Sequence, residues 1–386
     1  MIEKEFSLIT LVIYIVMALI IAFLFKKAIW AKNNKKTFKI GSYNINFKYF
    51  YYLLITLIFV IFSSFRYISD GVGGADTYNY INYFKSLGYV PFDLKNTLIF
   101  NGYEYLFYNT MFIVRILGGN YRIFLIIINI LMTSCLIYVV DHEFKNENDW
   151  YYFILFFLPL LKSLNIVRNC LAACLFFVSV SHLNHNNYKK SLLFIILAYL
   201  NHYMAILGFV LILFYKYFPE KILLDKRKII MLNIASIVMS IVSLPVIKHI
   251  LLNTGYCGYV SKMQVSLIGY MPYIAIYVLM LYDKNFIHYL KSNAHFGYYK
   301  IMYFLSLVLP LFMIMNAANR ILLLFEVPIV VILVDIVNFY IKKVPYRYHK
   351  LYKCFCISIV FCYYVFRILR IWDGYGLMPY YNIIFM

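Results

Sequence analysis

The sequence has few charged residues: they make up 13% of its 386 residues, whereas 64% are hydrophobic. A soluble globular domain is nearer half apolar and a quarter charged, so this composition excludes an ordinary soluble protein. Apolar runs of about twenty residues recur along the chain, which is the length of a bilayer-spanning helix and not of a barrel strand. The sequence therefore predicts an all-α, polytopic integral membrane protein.

Several chemical signatures are also missing. No glycine-rich phosphate loop followed by lysine is present, which argues against an ATP-driven pump. No His-x-x-x-His pair and no acidic cluster has metal-ligand spacing, so we predict neither a metal nor a cofactor. The seven cysteines show neither zinc nor disulfide spacing, and packing explains them better. Because no repeat and no low-complexity linker divides the chain, we predict a single membrane domain over residues 1–386.

Most of the charge is positive, with 36 Lys and Arg against 16 Asp and Glu and a formal net charge of +20. This balance would suggest nucleic acid in a soluble protein. Here the basic residues lie in short loops, as the positive-inside rule expects on the cytoplasmic face, so we exclude a nucleic-acid partner. Loops at 26–39, 216–228, 283–300 and 342–353 are assigned to the cytoplasm. Both chain ends then lie outside, with about twelve transmembrane segments, some of them broken or re-entrant.

Two neighbouring segments, 103–117 and 124–140, are predicted to form a pair of membrane helices. Arg115 and Arg122 flank the turn between them and are assigned as cytoplasmic anchors. The acidic loop at 141–149 is therefore expected outside.

Residues 150–183 allow two interpretations. Their first apolar run, to Leu161, has only about 12 residues, roughly 18 Å as an α-helix and short of the ~30 Å hydrocarbon core. Either two spans meet at a tight inner turn, or a broken helix lines a polar cavity, where irregular backbone is tolerated. The later segment 191–215 is predicted as one helix with Asn201 and His202 in its middle.

A polar stretch, residues 66–104, separates two apolar segments and is predicted to form an outer loop at 66–102. It contains Arg66, the acidic residues Asp70, Asp76 and Glu104, and a glycine cluster. The glycines permit positive φ and close backbone approach, so backbone amides as well as side chains are expected to face a ligand. The composition suits a polar, anionic substrate beside a membrane; the alternative is a solvated loop with a glycine turn.

Arg168 lies in an apolar segment, where an ionisable residue at a helix centre costs about 2.5 to 3.5 kcal/mol and needs an explanation. Asn165 is three residues earlier and shares its predicted helical face. A planar guanidinium with fixed donors suits a diphosphate. The alternative is a structural anchor bonded to a carbonyl or to Glu326.

Two further sites are weighed in the same way. His202, beside Asn201, can take a proton from a sugar hydroxyl or bind an anion, although a lone histidine on an apolar helix is usually a packing residue. Arg320 lies at a predicted outer helix end, where it either contacts substrate or snorkels to lipid headgroups.

Five short motifs lie in order between residues 60 and 215. They are Arg66-Tyr67, Gly74-Ala75-Asp76-Thr77-Tyr78, Tyr103-Glu104-Tyr105-Leu106-Phe107, Asn165-Ile166-Val167-Arg168-Asn169-Cys170 and Asn201-His202-Tyr203-Met204-Ala205. Together they resemble the EpsG-like branch of Wzy-type polysaccharide polymerases. The family more often has Gln where Asn169 stands and a small residue where Tyr203 stands.

The resemblance implies a membrane glycosyltransferase of the bacterial plasma (inner) membrane, an O-antigen or capsule polymerase. Such an enzyme transfers a growing chain from undecaprenyl diphosphate to a sugar hydroxyl of the next lipid-linked repeat unit at the outer face. The implied partners are this lipid-linked oligosaccharide, membrane lipids, and a chain-length regulator and flippase of the same pathway. The resulting site prediction is Asp76, Glu104 and His202 for catalysis, Arg66, Arg168 and Arg320 for the diphosphate, and Asn165 and Asn201 for polar support. Two alternatives stay open: a lipid-linked oligosaccharide flippase and a membrane O-acyltransferase.

Overall fold

The computed structural model describes residues 6–70, 72–87, 104–223, 225–252, 271–291, 295–313 and 318–382. Within these ranges the chain is almost entirely helical, with one antiparallel hairpin of strands β1 (Thr37–Ile40) and β2 (Tyr43–Asn46). Five of the described helices are long and apolar enough to cross a membrane. The all-α membrane class is confirmed, and the count of twelve segments stays a prediction. Residues 88–103, which include the second part of the predicted outer loop, lie outside the described part.

The described α-helices are, in chain order, α1 (Leu8–Asn33), α2 (Lys48–Ser64), α3 (Ala75–Ser86), α4 (Tyr105–Ile116), α5 (Tyr121–Glu143), α6 (Phe157–Lys162), α7 (Val167–Asn184), α8 (Tyr188–Asn201), α9 (Leu207–Tyr217), α10 (Glu220–Leu223), α11 (Lys226–Leu252), α12 (Met271–Tyr282), α13 (Lys284–Lys291), α14 (Phe296–Met313), α15 (Ala318–Ile341) and α16 (His349–Tyr375). The described residues also form three 3₁₀ helices, Glu147–Phe156, Tyr203–Ile206 and Tyr346–Tyr348, which precede α6, α9 and α16.

The bundle has two ends that side-chain contacts identify. α2 and α5 run antiparallel: Lys48, at the start of α2, contacts Asp141 near the end of α5 at 2.8 Å. At the other end of the pair, Asn129 Nδ2 donates to Ser64 Oγ at 2.9 Å. We call the end that carries Ser64 and Arg66 the upper end, and the end that carries Lys48 the lower end.

The acidic loop after α5 lies at the lower end, beside the lysine-rich loop that follows α1. Asp141 contacts Lys32 at 3.3 Å as well as Lys48. The prediction that these two loops lie on opposite sides is therefore wrong. Arg122 is at the upper end, where its guanidinium donates to the Ser64 carbonyl at 3.4 Å. It was predicted on the same side as the lysine-rich loop, and that prediction is wrong too. The reason is that α4 does not cross the bundle. Its twelve residues are only about 18 Å long, and the chain enters and leaves this helix at the upper end.

Residues 147–184 form two antiparallel segments joined at the upper end. The first is a 3₁₀ helix of ten residues that continues into the six residues of α6. Because a 3₁₀ helix rises about 2.0 Å per residue, this segment reaches about 29 Å, close to the ~30 Å hydrocarbon core. The two-span interpretation therefore describes this region, but the turn at 163–166 lies at the end that carries Arg66, not at the lysine-rich end as expected.

The predicted single helix at 191–215 is a helical hairpin. His202 has extended backbone angles (φ −157°, ψ 122°) that end α8, and α9 runs back beside it. Gly208 of α9 packs so closely on Ile195 of α8 that an added Cβ would lie 2.8 Å from its side chain. The one-helix prediction is wrong, and His202 lies at the apex of the hairpin, at the upper end.

The carboxyl-terminal tail, residues 376–382, packs on the loop that carries Arg66. The Tyr67 amide donates to the Tyr381 carbonyl at 2.8 Å, and the Tyr380 ring stacks on Phe62 with 4.6 Å between centroids. The amides of Gly73 and Gly74 donate to the Gly376 carbonyl at 2.8 and 3.2 Å. The expectation that the glycine amides face a ligand is therefore wrong, because the tail occupies them.

Candidate active site

The turn at 163–166 is fixed by Arg66. Its guanidinium is 1% exposed, and Nε donates to the Gly73 carbonyl at 2.8 Å while Nη2 donates to the Leu164 carbonyl at 2.5 Å. Nη1 donates to the Ser63 carbonyl. Burial lowers the pKa of Arg66 to about 10. Each guanidinium nitrogen is thus occupied by the backbone, and the side chain supports the turn from inside.

The start of α3 is held against the same turn. Gly74 has φ +111°, and a Cβ there would lie 1.9 Å from the Leu164 carbonyl oxygen, so only glycine permits this approach. The Asp76 amide donates to Asn165 Oδ1 at 2.6 Å, and the Thr77 hydroxyl donates to the Leu164 carbonyl at 2.8 Å. Asp76 is half-buried, and no described residue bonds to its carboxylate.

Arg168 lies in the first turn of α7 and pairs with Glu104, the residue that precedes α4. Its Nη1 donates to the Glu104 carboxylate and to the Tyr108 hydroxyl, the latter at 3.0 Å. The guanidinium carbon also lies 5.1 Å from the Tyr80 ring centroid and 6.0 Å from that of Phe107. Aromatic faces attract a guanidinium, so these rings fix its plane as well as its position.

His202 contacts the other oxygen of the same carboxylate. Its Nε2 lies 3.9 Å from Glu104 Oε1, and the imidazole is 2% exposed. Because Nδ1 accepts from the Met204 amide at 3.2 Å, the neutral ring carries its proton on Nε2, toward Glu104. The Tyr203 ring stacks on the imidazole at 4.8 Å.

Three buried polar atoms beside this ion pair have no hydrogen-bond partner among the described residues: Arg168 Nε, Asn169 Nδ2 and Asn201 Oδ1. Asn201 uses its Nδ2 to donate to the Leu197 carbonyl at 2.8 Å. Buried polar groups are nearly always paired with protein or ordered water. Two donors and one acceptor left over at adjoining helix ends therefore indicate a place for a polar molecule.

The structure brings six of the eight predicted site residues to one place at the upper end: Asp76, Glu104, Asn165, Arg168, Asn201 and His202. Arg66 lies behind the turn, where the backbone encloses it. Arg320 belongs to α15, and its side chain is outside the described part.

Sequence reasoning assigned no role to Tyr80, Tyr108 or Asn169, although Asn169 belongs to one of the five motifs. Tyrosine is so frequent, with 41 residues, that no single one stood out. A spacing signal was present, because Tyr80 is four residues after Asp76 and Tyr108 is four after Glu104, which places each pair on one helical face.

The alternative partner proposed for Arg168, Glu326, binds other cations. Glu326 contacts Lys162 at 2.5 Å and Arg367 at 3.0 Å. The turn at 163–166 separates Lys162 from Arg168. The alternative pairing of Arg168 with Glu326 is therefore wrong.

Among the described residues, no group of three or more His, Cys, Asp or Glu has the geometry to hold a metal ion. The family model that matches this chain is that of the EpsG family, over residues 48–382. No match was found among curated proteins or among solved structures. The matched range includes every residue of the site described above. The chain therefore belongs to the EpsG family, which associates it with glycan polymer synthesis in a membrane.

Proposed function

We propose that this protein is an O-antigen or capsule polymerase, which joins lipid-diphosphate-linked oligosaccharide units at the outer face of the bacterial plasma membrane. One observation carries the proposal: Glu104 contacts both Arg168 and His202 at a point where three neighbouring polar atoms lack partners in the described chain. A charged, polar site of this kind at one end of a membrane bundle suits a substrate with an anionic group and many hydroxyls. Family membership supports the same reaction class.

In this reaction the oxygen of an acceptor sugar hydroxyl bonds to the anomeric carbon of the donor glycan. The bond between that carbon and the diphosphate oxygen breaks, and the lipid diphosphate leaves with the bonding electrons. The hydroxyl proton passes to a base in the site. The lipid diphosphate is itself the activated group, so the reaction needs no nucleotide sugar.

Arg168 is assigned to the diphosphate. Negative charge grows on the leaving oxygen in the transition state, and a fixed cation in a low-dielectric site stabilises it. Its Nε has no hydrogen-bond partner among the described residues and is the donor left for a substrate. Arg66, which the sequence assigned to the same role, acts instead by holding the turn, and Asn165 holds the start of α3.

Asp76 is assigned as the base. The two oxygens of Glu104 already face Arg168 and His202. His202 presents a proton at Nε2 and so donates to the substrate or to Glu104. The carboxylate of Asp76 is half-buried and engaged by no described residue, which leaves a lone pair for the acceptor hydroxyl.

To test the proposal, the single variants Arg168→Lys, Asp76→Asn and His202→Ala are each expressed in a host that lacks its own polymerase. Surface glycan is separated on gels. We expect the long-chain ladder of the wild type to be replaced by single repeat units in all three variants. Arg122→Lys is the matched control, since Arg122 is also at the upper end but bonds to the Ser64 carbonyl, and its ladder should be unchanged. Normal ladders from all three site variants would refute the proposal.

The same gels separate the rival functions. A flippase defect removes lipid-linked glycan from the surface altogether, whereas a polymerase defect leaves single units. An O-acyltransferase defect keeps chain length normal and removes acyl groups, which mass spectrometry of the glycan detects.

A further inference from the structure

The carboxyl-terminal tail caps the end of α2. The last four carbonyls of a helix have no partner within it, and in α2 they belong to residues 61–64. Asn382 Nδ2 donates to the Ile61 carbonyl at 3.1 Å, and the Tyr380 hydroxyl donates to the Phe62 carbonyl at 2.7 Å. A carbonyl in an apolar environment is costly without a donor, so these two side chains of the tail stabilise the end of the helix.

Arg66 belongs to the same cap, because it donates to the Ser63 carbonyl. It also forms an antiparallel bridge with Asn382 of the tail. The residue that supports the turn at 163–166 and the tail therefore meet at one helix end.

The tail is attached to α1 as well. The Tyr380 amide donates to Thr10 Oγ1 at 2.9 Å, and the Tyr14 hydroxyl donates to the Leu377 carbonyl. The Tyr380 ring lies against Tyr14, with 5.8 Å between centroids, and its stack on Phe62 joins it to α2. These contacts make the tail a strap across α1 and α2 at the upper end.

The first residue of the tail contacts the glycine segment that precedes α3. The Gly376 carbonyl accepts from the amides of Gly73 and Gly74 at 2.8 and 3.2 Å, and the Gly73 carbonyl accepts from Arg66 Nε at 2.8 Å. Consecutive glycines have wide conformational freedom, so outside contacts decide which conformation they adopt. Here the tail and Arg66 hold Gly73 through its amide and its carbonyl.

Asp76, the base assigned above, follows this segment directly. Gly74 is two residues before it, and α3 begins between them at Ala75. The Asp76 amide donates to Asn165 Oδ1 at 2.6 Å. The backbone that carries the Asp76 carboxylate is therefore fixed at two points, by the tail just before it and by the turn at its own amide.

We infer that the tail positions Asp76 for catalysis, with Gly376 and Tyr380 as the positioning residues. This inference rests on the proposed function and adds to its active site a segment that is distant in sequence. Tyr380 attaches the tail to α1 and α2, and Gly376 carries that attachment to the glycine segment. A base must lie within hydrogen-bond reach of the proton it takes, and a displacement of about 1 Å can lower a rate about 10²-fold.

A double-mutant cycle on the full chain tests this inference. The variants are expressed in a host that lacks its own polymerase and accumulates its lipid-linked repeat units, and its membranes are assayed for the initial rate at which two units are joined. Tyr380→Ala should lower this rate about 10²-fold. In an Asp76→Asn background it should cause no further loss, because the group that the tail positions is absent. In an Arg168→Lys background, which alters the diphosphate contact, the full loss should persist.

A role of the tail in general stability predicts a different result, namely the same fractional loss in both backgrounds. That outcome would overturn the inference. A rate that rises in Tyr380→Ala would show that the tail inhibits the enzyme, and would overturn it too.

Two further variants complete the cycle. Tyr380→Phe keeps the stack on Phe62 and loses only the hydrogen bond to its carbonyl, so the rate should fall about fivefold with the same dependence on background. This variant makes the cycle readable even if Tyr380→Ala does not fold. Tyr381→Ala is the matched control, since its side chain is 37% exposed and its carbonyl makes the contact with the Tyr67 amide. It should leave the rate unchanged, and a loss as large as that of Tyr380→Ala would contradict the inference.

The two proposals fail in different ways. If the wild type makes no polymer, the proposed function fails whatever the tail variants show. If the wild type makes polymer and Tyr380→Ala joins units at the wild-type rate, only the inference about the tail fails. If Asp76→Asn alone keeps the wild-type rate, the assignment of the base fails and the inference about the tail fails with it.

Discussion

Two buried charge clusters lie at opposite ends of this bundle, and they differ in how their charges are used. In the lower cluster, His295 contacts Asp335 at 3.0 Å and Glu143 at 3.7 Å, and Glu143 also contacts His185 at 3.3 Å. Each of these ionisable side chains faces one of opposite charge type. The upper cluster consists of Asp76, Glu104, Arg168 and His202. Among the described residues, Nε of Arg168 has no hydrogen-bond partner, and no residue bonds to the Asp76 carboxylate. Burial of charge is therefore common to both ends. At the upper end charged side chains keep spare hydrogen-bonding capacity, whereas at the lower end such capacity is left on two tyrosine hydroxyls, those of Tyr298 and Tyr299.

The backbone explains the difference. The lower cluster joins the ends of regular helices, α5, α14 and α15, and its contacts hold those helices together. The upper cluster is built where helices stop, at the turn 163–166 and at the extended residue His202. Where the backbone leaves the helix, the polar side chains do not all pair with one another. The hydrogen-bonding atoms that stay unpaired are available to a substrate.

The largest expected effect comes from Glu104→Gln, which keeps the shape of the side chain but removes the charge that faces Arg168 and His202. We expect polymer formation in membranes to fall by about 10² to 10³-fold, the usual loss for a preorganised electrostatic contact. His295→Gln makes the matching change in the lower cluster and should leave the rate unaltered. Equal losses in both variants would remove the functional distinction between the clusters.

Gly74→Ala tests whether the upper cluster depends on the close approach of α3 to the turn. Positive-φ strain and the clash with Leu164 should together lower the free energy of unfolding by about 3 kcal/mol or more. Gly118→Ala is the control: it has φ +76° but open space around its Cβ position, so it should cost about 1 kcal/mol. Thermal melting of the detergent-solubilised protein measures both, and equal melting temperatures would contradict the packing argument.

A smaller effect is expected from pH at the lower cluster. Burial lowers the pKa of His295, but the hydrogen bond and charge of Asp335, together with Glu143, outweigh it and raise the pKa above its usual value. A raised pKa gives a stabilisation that is fully present below the unfolded value near 6.5 and is lost as pH rises through the folded value. The melting temperature of His295→Gln should therefore fall further below wild type at pH 6 than at pH 9. If the difference in melting temperature between wild type and His295→Gln grew with pH instead, the folded protein would hold the His295 imidazole in its neutral form.

The smallest expected effect is that of Tyr108→Phe, which removes one hydrogen bond to Arg168 and keeps the ring. One such bond contributes about 1 kcal/mol, so the polymerisation rate should drop by about fivefold. Tyr138→Phe, which removes a hydroxyl near His182 in the lower half of the bundle, should not change the rate. A loss as large as that of Glu104→Gln would assign Tyr108 to the chemistry itself.

Much of the site could be predicted from the sequence, because its residues are costly exceptions within apolar segments. Arg168, His202 and the acids of the polar loop stood out for that reason, and the order of five short motifs linked them. The role of Arg66 could not be predicted, since a guanidinium that binds carbonyls and one that awaits a phosphate have the same sequence signature. The direction in which the segments between residues 104 and 217 cross the bundle was also predicted wrongly. One cause is α4, which is apolar but too short to span. The other is the 3₁₀ helix Glu147–Phe156, which makes its apolar run longer than the same number of residues in an α-helix.

The sequence by itself determined the class of protein and the identity of most polar residues in the site, since hydropathy and the cost of buried charge depend on residue type alone. Only the tertiary structure decided which of those charges neutralise one another and which keep free atoms. That outcome depends on distances of 3 to 4 Å between residues far apart in the chain, and such distances are set by helix packing and by the few points where the backbone leaves the helix.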